Sequence, residues 1–268
     1  MSDRVTVHIE DHIADVRLNR PDKLNALDLA MFEGLVETGR SLSTDRSLRA
    51  VVLSGEGRGF CAGLDFSSFM AMAGSAEGAA RNLFERQRGG PANYAQEACY
   101  VWTTLPVPVI AAVHGYAYGG GLQLALAADI RFVAPDAQLS VMEIKWGLIP
   151  DMTGTQTLRH LVRLDIAKEL TFTGRSVSGQ EAVEIGLATR LSESPRDAAL
   201  VLAREIAAKS PNAIRAGKRL LESSRTIDPE EGLLMEESLQ RTLLGKPNQA
   251  EAVQSNFEKR APRFRNPD

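Results

Sequence analysis

Three side chains in the middle of the sequence could carry acid–base chemistry. Glu143 sits in the apolar run Ser140-Val141-Met142-Glu143-Ile144, and Asp151 follows Gly147-Leu148-Ile149-Pro150. Apolar neighbours imply burial of Glu143, and burial raises a carboxyl's pKa toward values useful in a general base. Gln123 is the third, on the first turn of a helix opened by Gly119-Gly120-Gly121. An amide can hold a water or a substrate group but cannot exchange a proton as a carboxylate does. Beside these stand two glycine-rich stretches, residues 59–65 (Gly-Phe-Cys-Ala-Gly-Leu-Asp) and 114–123 (His-Gly-Tyr-Ala-Tyr-Gly-Gly-Gly-Leu-Gln). Glycines let a ligand approach the backbone, and unpaired N–H groups at a helix start point at it. Two such donors suit a developing oxyanion, each worth about 3 kcal/mol of barrier. The competing reading is that the glycines only permit close packing of helix on sheet.

The elements that must position these groups alternate between strand and helix. Residues 5–9 and 13–18 read as strands joined by a turn at Asp11-His12, and a helix begins at the N-cap Asp28. Residues 51–53, 109–113 and 130–133 read as short buried strands, so the pattern predicts α/β layering with a mostly parallel sheet. Residues 71–91 read as a helical excursion with a mobile loop at 88–91. After about residue 192 strand signals stop, and helices are predicted over 196–209, 211–224, 229–244 and 247–259, three of them with Pro in the first turn.

Composition narrows the classes. The 268 residues carry a net charge of −3, so no basic field recruits nucleic acid or anionic lipid. Cys61 and Cys99 do not make a disulfide framework, and the start of the chain lacks a signal-peptide pattern, so a cytoplasmic location is expected. The longest apolar runs are too short to span a bilayer. The dinucleotide fingerprint would need Gly where Leu124 stands, and four scattered histidines give no metal-ligand spacing, so no metal is expected.

Taken together and in order, the two glycine-rich stretches resemble the signatures of the enoyl-CoA hydratase/isomerase (crotonase) superfamily. Residues 19–27, 147–150, 171–174, 182–188 and 257–260 extend that resemblance along nearly the whole chain. It implies a spiral of ββα repeats with a helical C-terminal trimerisation region. Residues 1–192 would form the α/β core with the coenzyme A (CoA) and active sites, and 193–268 the oligomerisation region of a homotrimer or dimer of trimers. The substrate would be an acyl-CoA thioester, with no cofactor beyond the CoA it carries.

By the same resemblance, the backbone N–H groups of Leu64 and Gly120 are the oxyanion donors. Lys23, Leu24 and Ala26 border the nucleotide end of CoA, while Ala62, Leu64, Asp65 and Phe66 line the adenine and pantetheine path. Gly119 and Gln123 adjoin the reacting group. Lys259 matches a lysine that in relatives approaches the CoA phosphates, its alternative being a solvated surface charge. Hydratases of the family use two glutamates, at the positions of Gln123 and Glu143, and only the second is present here. An Asp at position 151 resembles dienoyl-CoA isomerases, where it serves in proton transfer; its alternative is a helix N-cap. An isomerase with Glu143 as base fits best. The rivals are a hydratase or hydratase-lyase using Glu143 alone, in a Glu-Ile-x-Trp-Gly context found in some relatives, and a catalytically silent CoA-binding member. Met70, Met72, Phe84, Tyr94 and Trp102 are expected to line or support the acyl end.

Overall fold

The computed structural model describes residues 3–67, 83–86 and 90–267. It begins with a hairpin, β1 (Val5–Glu10) and β2 (Ile13–Leu18), paired antiparallel. The connecting residues Asp11 and His12 both have positive φ, as a type I′ hairpin turn requires. Beyond β2 the main sheet continues parallel through β3 (Ala50–Gly55), β4 (Val109–Val113), β6 (Ile130–Val133) and β9 (Arg190–Leu191). A second, three-stranded sheet holds β5 (Tyr116–Tyr118), β7 (Gln138–Ser140) and β8 (Val177–Ser178).

The chain steps between the two sheets. β4 lies in the large sheet and β5 in the small one, and helix α3 (Gly120–Leu126) leads back to β6, which is followed by β7 in the small sheet. Each passage is one ββα turn of the spiral expected from the sequence. The residue after β5 is thereby delivered to a helix start, and the residues after β7 to a 3-10 turn over Met142–Trp146. Both ends open on the same side because β5 and β7 run parallel, with Tyr118 opposite Ser140.

Strands β3 and β4 are buried on both faces, which explains their continuous apolar sequence. Val51, Leu53, Val109 and Ala111 join the main core, built with Phe32, Leu35, Cys99 and Trp102. The alternating residues Ala50, Val52, Ile110 and Ala112 meet a different partner, the Ala199, Ala203 and Ala207 stripe of α7 (Pro195–Ala207). Small residues four apart let that helix lie close on the sheet. The first helix after the expected boundary at residue 193 thus covers the sheet. The last three, α8 (Pro211–Ser223), α9 (Pro229–Leu243) and α10 (Pro247–Phe257), leave Leu221, Leu233, Leu234 and Phe257 largely exposed. All four helices start at Pro, one more than expected, because the first begins at Pro195 rather than at residue 196. No helix among the described residues is long and apolar enough to cross a membrane.

On the core side, α1 (Leu29–Thr44) is capped by Asp28, whose side chain accepts from the Met31 N–H at 2.8 Å. α2 (Tyr94–Thr103) packs against α1, and α4 (Gly154–Leu161), α5 (Leu164–Thr173) and α6 (Gly179–Glu184) follow β7 in the chain. Residues 71–82 and 87–89 of the predicted excursion lie outside the described residues, as do Met70 and Met72.

Candidate active site

Residues 59–65 run as a strand-like ribbon between two others. Cys61 pairs with the β5 region, its N–H donating to Tyr116 O and its carbonyl accepting from the Tyr118 N–H. Two residues later the ribbon pairs with residue 27: the Leu27 N–H donates to Gly63 O at 2.7 Å and the Asp65 N–H to Leu27 O at 3.0 Å. In such a bridge the residue between the two bonds, Leu64, directs its own N–H away from the partner. That N–H has no backbone acceptor among the described residues, and neither does that of Gly120, the first residue of α3 (Gly120–Leu126).

The glycines enforce this meeting. Gly119 has φ 51° and ψ −121°, a conformation that L side chains avoid. A Cβ on Gly121 would collide with the Cys61 carbonyl oxygen. Ribbon and helix start thus face one cavity of about 580 Å³, lined by Ala62, Leu64, Phe66, Gly119 and Gly120.

Gln123, Glu143 and Asp151 line that same cavity. The turn after Pro150 aims the Met152 and Gly154 N–H groups at Gln123 Oε1, at 2.8 and 2.9 Å. With its oxygen fixed by two donors, the Gln123 NH2 must face the other way, and it donates to Glu143 Oε1 at 2.6 Å. The second carboxylate oxygen of Glu143, Oε2, is buried with no hydrogen-bond partner among the described residues. Burial raises the Glu143 pKa above the ordinary carboxylate value. Its own N–H and the Gln123 amide oppose that rise, and the Asp151 charge adds to it. Asp151 is itself raised by desolvation, although its side chain reaches solvent at the rim.

Asp151 is not the N-cap of α4 (Gly154–Leu161). That position is Thr153, at φ 73°, with no side-chain capping bond. The alternative role weighed for Asp151 therefore disappears, and its carboxylate is left on the cavity lining. Asp151→Asn, nearly isosteric, is expected to leave the melting temperature within about 2 °C of wild type, having no cap to lose. Turnover of a substrate that needs the carboxylate is expected to fall about tenfold or more. Thermal unfolding and steady-state kinetics on one preparation check both.

Of the other residues expected at the site, Lys23, Leu24, Ala26 and Lys259 lie outside the cavity lining, with both lysines exposed. Asp65, expected on the CoA path, is also absent from that lining. It is buried in an ion pair with Arg20 at 2.8 Å and accepts from the Ser67 hydroxyl. Among the residues expected at the acyl end, Phe84 lines the cavity. Tyr94 does not, and Trp102 is fully buried in the core.

The 20–27 loop is held by a second buried group. The Asn25 amide donates to the carbonyls of Glu56, Gly59 and Phe60 and accepts from the Arg20 N–H. Asn25→Asp would set an acceptor against three acceptors. A loss of about 2 kcal/mol or more is expected, which would lower the melting temperature by roughly 4–8 °C; an unchanged transition in calorimetry would remove Asn25 as the anchor.

Comparison with known proteins places the chain. The sequence profile of the family described as enoyl-CoA hydratase/isomerase matches residues 8–267. The chain belongs to this family. It is 34% identical over 259 residues to enoyl-CoA hydratase domain-containing protein 2, mitochondrial, of Mus musculus, covering 94% of this chain and 84% of that protein. It is 35% identical over 257 residues to the mitochondrial Delta(3,5)-Delta(2,4)-dienoyl-CoA isomerase of Mus musculus, covering 94% and 78%. The crystal structure of enoyl-CoA hydratase from Bacillus anthracis superposes with a TM-score of 0.89 at 32% identity, covering 97% of this chain and 98% of that one. Hydratase/isomerase relatives thus bear both activities in their names.

Within this hydratase/isomerase chain the sequence reading missed several residues of the cavity wall: Phe32, Asn93, Gln96, Tyr118, Trp146 and Met152. Asn93-x-x-Gln96 carried a signal, being a capping-box spacing. Trp146 stacks on Phe66 with ring centroids 4.1 Å apart, a pairing of residues 80 positions apart that no local pattern reveals.

Proposed function

We propose that the protein is an enoyl-CoA isomerase that moves a double bond through a thioester enolate. The observation that carries this reading is the Gln123–Glu143 contact. The Gln123 amide is locked onto Glu143 Oε1, so the pair presents one titratable group and one oxygen, Oε2, without a hydrogen-bond partner among the described residues. Hydration by paired carboxylates needs an acid and a base at once, whereas double-bond migration needs one group that takes a proton and returns it.

In this reading the Leu64 and Gly120 N–H groups receive the thioester oxygen. Glu143 Oε2 removes a C2 proton of a 3-enoyl-CoA. The C–H electrons form the C1–C2 double bond of the enolate, and charge moves to the thioester oxygen between the two donors. The enolate then collapses and takes the same proton at C4, leaving the double bond between C2 and C3. Asp151 supplies a second carboxylate for a dienoyl substrate, in which the proton must be delivered farther along the chain. Lys23 and Lys259 are assigned to the CoA phosphates, and the path runs past Leu24, Ala26, Ala62 and Phe66. No cofactor is invoked beyond the CoA of the substrate. The exposed apolar side chains of α8, α9 and α10 support self-association as a trimer or dimer of trimers.

The experiment is incubation with 3-enoyl-, 2-enoyl- and dienoyl-CoA thioesters, with product double bonds assigned by NMR. Double-bond migration as the fastest reaction is expected. Addition of water as the fastest reaction would replace the isomerase by a hydratase.

A further inference from the structure

One wall of the cavity comes from the first turn of α2, through Asn93, Ala95 and Gln96. Asn93 and Gln96 form a reciprocal capping box. Asn93 Oδ1 accepts from the Gln96 N–H at 2.9 Å, and Gln96 Oε1 accepts from the Asn93 N–H at 3.0 Å. A backbone N–H only donates, so both side-chain oxygens are identified and what remains on each amide is its NH2. Neither NH2 has an acceptor among the described residues. Phe32, Leu83, Phe84 and Ala95, all apolar, line the same cavity. Both residues are half-buried, and a purely hydrocarbon acyl chain laid over their NH2 groups would take them from water unpaired.

We infer that the acyl group carries a neutral oxygen, a keto or hydroxyl oxygen along its chain, which the Asn93 and Gln96 NH2 groups receive. A charged carboxylate fits less well, because Glu143 and Asp151 line the same cavity and no Lys or Arg is among its described lining residues. The inference rests on the acyl-CoA reading of the site but not on which double-bond reaction follows.

Binding of saturated acyl-CoA thioesters tests it without turnover. Pairs of equal chain length, with and without a keto oxygen at successive positions from C4 outward, are titrated into the full-length protein by calorimetry. At one position the keto thioester is expected to bind about tenfold or more tightly than its hydrocarbon counterpart. Asn93→Asp and Gln96→Glu keep the capping oxygens while replacing donors by acceptors. The preference is expected to fall toward unity in each single variant and in the pair, with melting temperatures recorded alongside. Equal binding of every pair by wild type, a preference that survives in the single variants, or tighter binding of a terminal carboxylate would overturn the inference. Absence of any thioester binding would overturn the acyl-CoA reading and this inference with it.

Discussion

Glu143→Gln is expected to lower kcat/KM for the best enoyl thioester by roughly 10²- to 10⁴-fold, the usual effect of losing a positioned base. The substitution changes little else. The new amide keeps an oxygen for the Gln123 NH2, and its NH2 takes the place of Oε2, so thioester binding should stay within a few-fold. The pH dependence of the wild type carries the same information. A base works only when deprotonated, and the Glu143 pKa is raised by burial and by the Asp151 charge. The rate of the wild type is therefore expected to fall with decreasing pH along a limb lying above the ordinary carboxylate pKa. That limb should vanish in the residual activity of the variant. Near wild-type turnover by Glu143→Gln would end the assignment of the base.

Gln123→Glu is expected to change which reaction dominates. The Met152 and Gly154 N–H groups that now hold the amide oxygen would hold a carboxylate better, since hydrogen bonds to the charged form favour it. The new carboxylate would then face Glu143 across the 2.6 Å contact now made by the amide. Two carboxylates at that separation share one proton and titrate as a coupled pair. The two backbone donors favour charge on residue 123, so the proton is expected to rest on Glu143. At neutral pH the base of the isomerisation is thereby occupied, and double-bond migration should drop by about tenfold. Hydration of a 2-enoyl-CoA should rise about tenfold or more, because an acid and a base now flank the substrate. Loss of enoyl-thioester absorbance, with the 3-hydroxyacyl product weighed by mass spectrometry, reads both. Unchanged hydration in the variant would mean that Gln123 does not set the reaction.

Much of this site is legible in the sequence because it depends on local backbone needs. The Asp11-His12 turn, the Asp28 cap and the helix start after Gly119 each follow from residue types within a few positions. The cradle around Gln123 is not legible in this way. It depends on how residues 152–154 turn, with Thr153 at a positive φ that a β-branched residue rarely adopts. The Asp65 side chain has a partner that is hidden for a related reason. A charged residue beside a ligand-binding stretch suggests a contact with the ligand, but its partner Arg20 lies 45 positions earlier and draws it into a buried ion pair. Trp102, expected to line or support the acyl end, is turned inward onto the core by α2.

The most direct test of a single base acting through an enolate follows one hydrogen. A 3-enoyl-CoA carrying deuterium at both C2 positions is converted in ordinary water, and the product is examined by NMR and mass spectrometry. Oε2 of Glu143, buried and without a hydrogen-bond partner among the described residues, should hold the abstracted deuteron long enough to return part of it. The expected result is a 2-enoyl-CoA with deuterium at C4. A 3-hydroxyacyl-CoA as the chief product, or a 2-enoyl-CoA with no deuterium at C4, would contradict it.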